Sequence, residues 1–148
     1  MTQNIPHGVT QVHYLTMEIA CLVWAHVLLN LVYKFVETYM ASHRPPPIQI
    51  PHMHLVEASL AIKQNSEARA FLLEEVIGED EGHFRKNLNN VLAALTSCFE
   101  DNDEEHAKFL AFSQHVQFFK TKKLAFVADY QGKPILIMAI LHLHPSLT

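Results

Sequence analysis

The sequence predicts an all-α fold in one helical domain that covers residues 1–148. Two long stretches carry apolar side chains at steps of three and four, which is the period of a helix that buries one face. Hydrophobic residues make up 49% of the chain, so it has ample material for a core and is not an intrinsically disordered segment.

The first helix is predicted over residues 11–42, a stretch without glycine or proline. Its apolar side chains form one stripe at helical spacing, made of Leu15, Leu22, Ala25, Leu29, Val32 and Val36. Three consecutive prolines follow Arg44 and end the helix, because proline lacks the amide donor and restricts the residue before it. The most apolar run, 19–33, is shorter than the roughly 20 residues of a membrane span, which favours a buried core helix.

Three further helical stretches are predicted. The second helix covers about 51–63, the third covers 65–98 after a capping Asn65 or Ser66, and the fourth begins near Asp103 and continues to Phe119. Residues 124–143 are ambiguous. Their β-branched residues and the Gly132 turn favour a hairpin, whereas their alanines, leucines and methionine favour two short helices.

Carboxylates and imidazoles that interrupt apolar helix faces are the candidate metal ligands. Glu18 interrupts the stripe of the first helix, and Glu79 and His83 interrupt that of the third. Because Glu79 and His83 are four residues apart, a helix places them side by side, where they can share an ion. Carboxylate with neutral imidazole suits iron, manganese or zinc. His26 is the candidate cofactor-binding residue, as a further ligand or a proton donor.

Each of these residues also has a plain structural interpretation. Glu18 lies near a helix start, where a carboxylate is commonly solvated, and His26 beside Asn30 is typical of a hydrogen-bonded core histidine. The Glu79–His83 turn can equally form a solvated acidic face. Asp103 and His106, three residues apart, can add ligands or simply be exposed in an acidic run.

Composition excludes several function classes. The net charge of −4 and the pI near 6.2 leave no basic footprint for nucleic acid. The chain has no Gly-x-Gly-x-x-Gly, no Gly-Lys-Ser/Thr and no Gly-x-Ser-x-Gly, the motifs of dinucleotide, P-loop and hydrolase sites. Residues 1–8 do not resemble a signal peptide, and the two cysteines form no Cys-x-x-Cys. We therefore expect a cytoplasmic protein without a membrane partner.

Three stretches, 14–29, 68–95 and 125–145, resemble a bacterial domain family of unknown function in the heme-oxygenase-like superfamily. That superfamily includes TenA-like and PqqC-like proteins and non-heme di-iron oxidases. The matching residues are Met17-Glu18-Ile19 with Val23-Trp24, Gly78-Glu79 with His83-Phe84, and Gly132-Lys133-Pro134. Ala20 stands where the family has a histidine, and the chain is short for such a domain, as in a degenerate member.

The resemblance implies a heme-oxygenase-like helical bundle, incomplete unless a second subunit closes it, with helix over 124–143. It also implies non-heme iron held by Glu18, Glu79 and His83, with oxidase chemistry or binding of a small apolar ligand. Two alternatives stay open: a non-catalytic homodimeric interaction or scaffold protein, and a tetrapyrrole binder in which His13 or His26 is the axial heme ligand. We expect a homodimer, because a short apolar chain leaves a helix face uncovered.

Overall fold

The computed structural model describes residues 9–46, 49–64, 69–76, 85–86, 101–132 and 136–143. The two helices in this part of the chain are α1 (Val9–Met40) and α2 (Asp101–Lys120). The strands are β1 (His54–Leu55), β2 (Ala58–Ile62), β3 (Ala70–Glu74), β4 (Arg85–Lys86), β5 (Ala125–Gly132) and β6 (Leu136–Leu143). The fold is therefore mixed α/β.

The larger sheet has four strands in the order β1-β6-β5-β4. Antiparallel pairing joins β5 to β6 and β4 to β5, whereas β1 lies parallel to β6, with His54 opposite Leu136. The remaining two strands, β2 and β3, form a separate antiparallel hairpin in which Ala58 pairs with Glu74 and Ile62 with Ala70. One edge strand of this sheet, β1, thus comes from the first half of the chain and is distant in sequence from its neighbour β6.

The core lies where the two helices meet β5 and the segment around β1. Helix α2 packs on β5, and α1 contacts α2, the larger sheet and the β2–β3 hairpin. The buried apolar side chains come from all four segments: Ala25, Leu28, Leu29 and Val32 of α1, Met53 and Leu55, Phe109, Leu110 and Val116 of α2, and Ala125, Val127 and Tyr130 of β5.

The prediction of a long first helix is confirmed, and the three prolines after Arg44 follow its end closely. Only the carboxyl-terminal half of α1 is well packed. Several large apolar side chains of the other half are exposed, among them Met17, Val23 and Trp24 (54% exposed). Within the described ranges, Gln11–Met40 is the one helix long and apolar enough to cross a membrane by length and composition, a test that a soluble core helix also passes.

The all-α prediction is wrong, and with it the second and third helices. Residues 51–63 contain β1 and β2, and the interval 65–98 contains β3 and β4. The residues of β3, Ala-Phe-Leu-Leu-Glu, include good helix formers, but pairing with β2 overrides this weak local preference. The rest of the predicted third helix, with Glu79 and His83, lies outside the described residues.

The last third of the chain contains a helix, as predicted, and then two paired strands, which is one of the two alternatives for residues 124–143. Helix α2 begins in the acidic run, as predicted for the fourth helix. Strands β5 and β6 pair antiparallel, so the helix that the family resemblance implied for the tail is wrong. Gly132 is the last residue of β5, and it pairs with Ile137 of β6.

A hydrogen bond from the Tyr33 side chain ties α1 to the segment before β1. The Tyr33 hydroxyl donates to the Pro51 carbonyl (2.9 Å) and accepts from the amide of the buried Met53 (2.8 Å). Partial burial raises the pKa of Tyr33, an effect that the bond from the Met53 amide opposes. The ring also stacks on Phe109 of α2, so one side chain links three parts of the core.

An exposed ion pair joins the two sheets. His54 Nε2 of β1 lies 2.8 Å from Glu75 Oε2, just after β3, and the Glu57 amide donates to the same oxygen (3.1 Å). The hydrogen bond with His54, and after it the bond from Glu57, holds the pKa of Glu75 below its usual range.

Replacement of Tyr33 by phenylalanine is expected to lower the free energy of unfolding by about 1–2 kcal/mol, because it leaves the buried Met53 amide without an acceptor. Urea denaturation measures the change. The matched control is Tyr39→Phe on the same helix, where the ring is half-exposed and stacks on His43. We expect that control to stay within about 0.5 kcal/mol of the unmodified protein. Equal losses in both variants would contradict the assignment.

The pKa of Glu75 is expected to rise toward its ordinary value in His54→Ala, because the stronger of its two partners is removed. Since folding lowers this pKa, the stabilisation is present above the ordinary titration range of a glutamate. It is lost as the pH falls through the lowered pKa. A carbon-detected NMR titration of the Glu75 carboxyl checks this, with His13→Ala as a control that leaves the titration unchanged.

Candidate functional site

The predicted metal site is only partly within the described residues. Glu18 lies exposed on α1, and His26 is half-buried on the same helix. Eight residues of helix separate them, which is about 12 Å along the axis, so their side chains do not share an ion. Glu79 and His83 lie outside the described residues. The ligand set Glu18, Glu79 and His83 therefore stays a prediction.

The surroundings of Glu18 are those of a surface carboxylate. A hydrogen bond with Glu18 raises the pKa of Tyr14, four residues before it. Partial burial, together with the negative charge of Glu18, raises the pKa of the Cys21 thiol. Both neighbours belong to the same turn or the next turn of α1. Across the described part of the chain, no three His, Cys, Asp or Glu residues gather as a metal site would require.

A buried polar cluster lies between α2 and β5. Gln117, which is fully buried, accepts from the Val127 amide (2.9 Å) and donates to the Tyr130 hydroxyl (3.0 Å). Burial raises the pKa of the Tyr130 phenol far above its ordinary value, and the hydrogen bond from Gln117 opposes that shift. Both partners of this amide are on β5, so Gln117 fixes the height and rotation of the strand under the helix.

Gln114, one turn earlier on α2, holds an irregular position of β5. Val127 pairs with Leu141 and Asp129 with Ile140, so Ala128 is an extra residue that the β6 register does not match. The Gln114 side-chain amide donates to the carbonyls of both Val127 (2.8 Å) and Ala128 (3.1 Å). The bulge thus keeps its carbonyls satisfied without a ladder partner.

Asp129 directly follows this bulge. Strand bulges commonly occur beside active sites, where they redirect a side chain. An aspartate inside the otherwise apolar run Ala125–Tyr130 is the sequence signal that could have identified the position. Asp129 is not among the predicted ligands, because all of those stand at helical spacing. Gln131 and Gly132 follow, and Gly132 pairs with both β4 and β6.

Thr121 forms hydrogen bonds with Ala125, the first residue of β5. Its hydroxyl donates to the Ala125 carbonyl (2.9 Å) and accepts from the Ala125 amide (3.1 Å), directly after α2. Lys122 and Lys123 in the same turn have positive φ angles of 55° and 71°. The turn therefore reverses the chain within a few residues, and α2 and β5 meet as one hydrogen-bonded unit.

Comparison with known proteins identifies a family that differs from the resemblance described above. Residues 11–143 match the family model described as the alpha-kinase family. No curated protein and no solved structure matches the chain. The match overturns the assignment to the heme-oxygenase-like superfamily, which depended on runs of two or three residues. One of those runs lies at Met17–Trp24 of a partly exposed helix.

Replacement of Gln117 by alanine is expected to lower the free energy of unfolding by about 3 kcal/mol. It leaves the Val127 amide unpaired and opens a cavity beneath Tyr130. Urea denaturation measures the loss, and His115→Ala, an exposed position on the same helix, is the control. If both variants unfolded at the same urea concentration, the role of the buried amide would be refuted.

Proposed function

The chain belongs to the alpha-kinase family, and we propose on that ground that it is a kinase-like protein that binds ATP and transfers its γ-phosphoryl group to a hydroxyl acceptor. The observation that carries the proposal is the family match, which extends from the first turns of α1 to the last residue of β6. Both sheets, α2 and all but the first two residues of α1 fall within it.

Phosphoryl transfer makes one bond and breaks another. The acceptor oxygen bonds to the γ-phosphorus, the bond from that phosphorus to the β,γ-bridging oxygen breaks, and ADP leaves. The acceptor hydroxyl proton must pass to a base, which in kinases is an aspartate carboxylate. We assign this proton to Asp129.

The backbone position of Asp129 distinguishes it from four other acidic residues that the structure describes. Glu18 and Glu37 lie exposed on α1, and Glu57 and Glu75 lie exposed beside the small hairpin. Asp129 instead lies in β5, between the strand's neighbours β4 and β6, at the bulge that Gln114 holds. Positions on such a braced strand are well suited to precise chemistry.

Kinases use Mg²⁺, which neutralises the phosphate charge when it is bound. The described ranges do not bring together a set of carboxylates or imidazoles that would hold it. We therefore assign no magnesium ligands, and the proposed role of Asp129 is limited to the proton of the acceptor hydroxyl.

The family match replaces the functions that the sequence pattern and the heme-oxygenase-like resemblance suggested. A heme-oxygenase-like oxidase or apolar-ligand bundle is wrong, because the family is that of the alpha-kinases, and the scaffold and tetrapyrrole alternatives gain no support. The iron cofactor, the cytoplasmic location, and the expected absence of nucleic-acid and membrane partners stay predictions. The homodimer also stays a prediction, which the exposed Val23, Trp24 and Val27 of α1 support.

Transfer of labelled phosphate from [γ-³²P]ATP to a panel of hydroxyl-bearing protein substrates tests the function. We expect Asp129→Asn to lower the transfer rate by about 10²- to 10⁴-fold and to leave the dissociation constant for ATP within about twofold. Glu37→Gln, an exposed carboxylate on α1, is the matched control with an unchanged rate.

The two measurements separate the possible failures. If the purified chain neither bound ATP nor transferred phosphate with Mg²⁺ present, the kinase proposal would fail. A raised Mg²⁺ requirement in Asp129→Asn, with a rate restored at high Mg²⁺, would instead make Asp129 a metal ligand and would refute the proton-acceptor role.

A further inference from the structure

An apolar cavity lies at the carboxyl-terminal end of α1. Its volume is about 390 Å³. The last turns of α1 supply Phe35, Val36, Tyr39 and Met40, and Phe112 of α2 forms the facing wall. Phe35 and Phe112 lie tilted against each other with their ring centroids 6.3 Å apart. The segment that leaves α1 completes the lining with Pro46 and Ile50.

The size and chemistry of this cavity match those of a ligand site. Pockets for small molecules usually have volumes of about 300–1,000 Å³ and mostly apolar walls. The lining side chains here are apolar or aromatic throughout. Only apolar atoms of these side chains face the cavity, so a buried polar group of a ligand would find no hydrogen-bond partner there, which disfavours its entry. The part of a ligand that enters is therefore a hydrocarbon.

A positive charge lies against the wall of the cavity. Lys120 Nζ is 4.7 Å from the centroid of the Phe35 ring, and Phe35 is a lining residue. Lys122 and Lys123 follow in the exposed turn after α2. The lining itself contributes no carboxylate. The charge beside this cavity thus favours an anion, and an ammonium held over an aromatic ring on one side can still pair with a carboxylate on another.

We propose that this cavity binds an amphiphilic anion, a medium-length alkyl carboxylate whose chain lies between Phe35, Met40 and Phe112 and whose head group pairs with Lys120. The proposal does not depend on kinase activity, because neither Asp129 nor the α2–β5 amides line the cavity. It adds a lipid-like ligand to a protein for which the family match indicates a nucleotide and a hydroxyl acceptor.

Isothermal titration calorimetry with the purified full chain and decanoate tests the proposal. The decanoate concentration is kept below that at which it forms micelles. We expect saturable binding of one molecule per chain. Decanol, which has the same chain without the charge, is expected to bind about threefold more weakly, which is the scale of an exposed ion pair. Decylamine is expected to bind more weakly still.

Two variants locate the site. Met40→Trp fills the cavity from its rim and is expected to raise the dissociation constant for decanoate at least about tenfold. Met17→Trp makes the same change at an exposed position of α1 outside the cavity and is expected to have no effect. Lys120→Gln is expected to weaken decanoate about threefold and to leave decanol unchanged, with Lys63→Gln as its control. Circular dichroism confirms that each variant is folded.

The affinities of these variants and ligands decide whether the proposal holds. The proposal is supported if Met40→Trp weakens decanoate binding and Lys120→Gln weakens the binding of decanoate but not of decanol. Equal binding by Met40→Trp and Met17→Trp, or saturation only above the micelle concentration, overturns it. Equal affinity for decanoate, decanol and decylamine refutes the anionic head group. If decanoate does not bind and Met40→Trp alters the oligomeric state in light scattering, the occupant is a second copy of the chain and the proposal is wrong.

Discussion

The arrangement of this molecule depends on two glutamine side chains that bond from α2 into β5. Gln114 and Gln117 lie about one turn apart, so both amides face the strand. They satisfy backbone groups at a point where the strand register shifts and the sheet ladder cannot do so. Apolar packing alone has no preferred rotation, whereas these bonds are directional and fix where β5 lies under the helix.

Helix α1 is attached in a different way. Its carboxyl-terminal half contributes Leu29 and Val32 to the core and is tied to the chain before β1 by the Tyr33 hydroxyl. Its other half exposes Trp24 and other apolar side chains. The same helix that supports the core thus also exposes large apolar side chains, whereas truncating the side chains that its second half buries would leave cavities and cost stability.

Secondary structure could be predicted from the sequence where an apolar pattern at helical spacing continues over several turns. The two helices were predictable because α1 and α2 each repeat an apolar pattern over several turns. Strand β3 was not, because its residues favour a helix and only pairing with β2, some ten residues earlier, makes it a strand. The tail could be narrowed to two choices, and Gly132 pointed to the correct one.

The candidate site could not be predicted for a related reason. Glu18 was singled out because it interrupts a helical stripe, yet its side chain remains exposed on α1. The role proposed for Asp129 depends on the bulge at Ala128, which arises from the pairing of β5 with β6 and is invisible in a local pattern. Matches of two or three residues, such as Met17-Glu18-Ile19, are too short to identify a family, and so they misled the assignment.

The parallel pairing of β1 with β6 has a consequence for how the chain folds. His54 meets Leu136, so more than half of the chain lies in the loop that this contact closes. A contact of such high sequence separation must offset a large loss of chain entropy before it stabilises anything, and proteins rich in such contacts fold slowly. During synthesis on a ribosome, β1 therefore remains unpaired until β6 has emerged, and its edge is open to other partners for that interval.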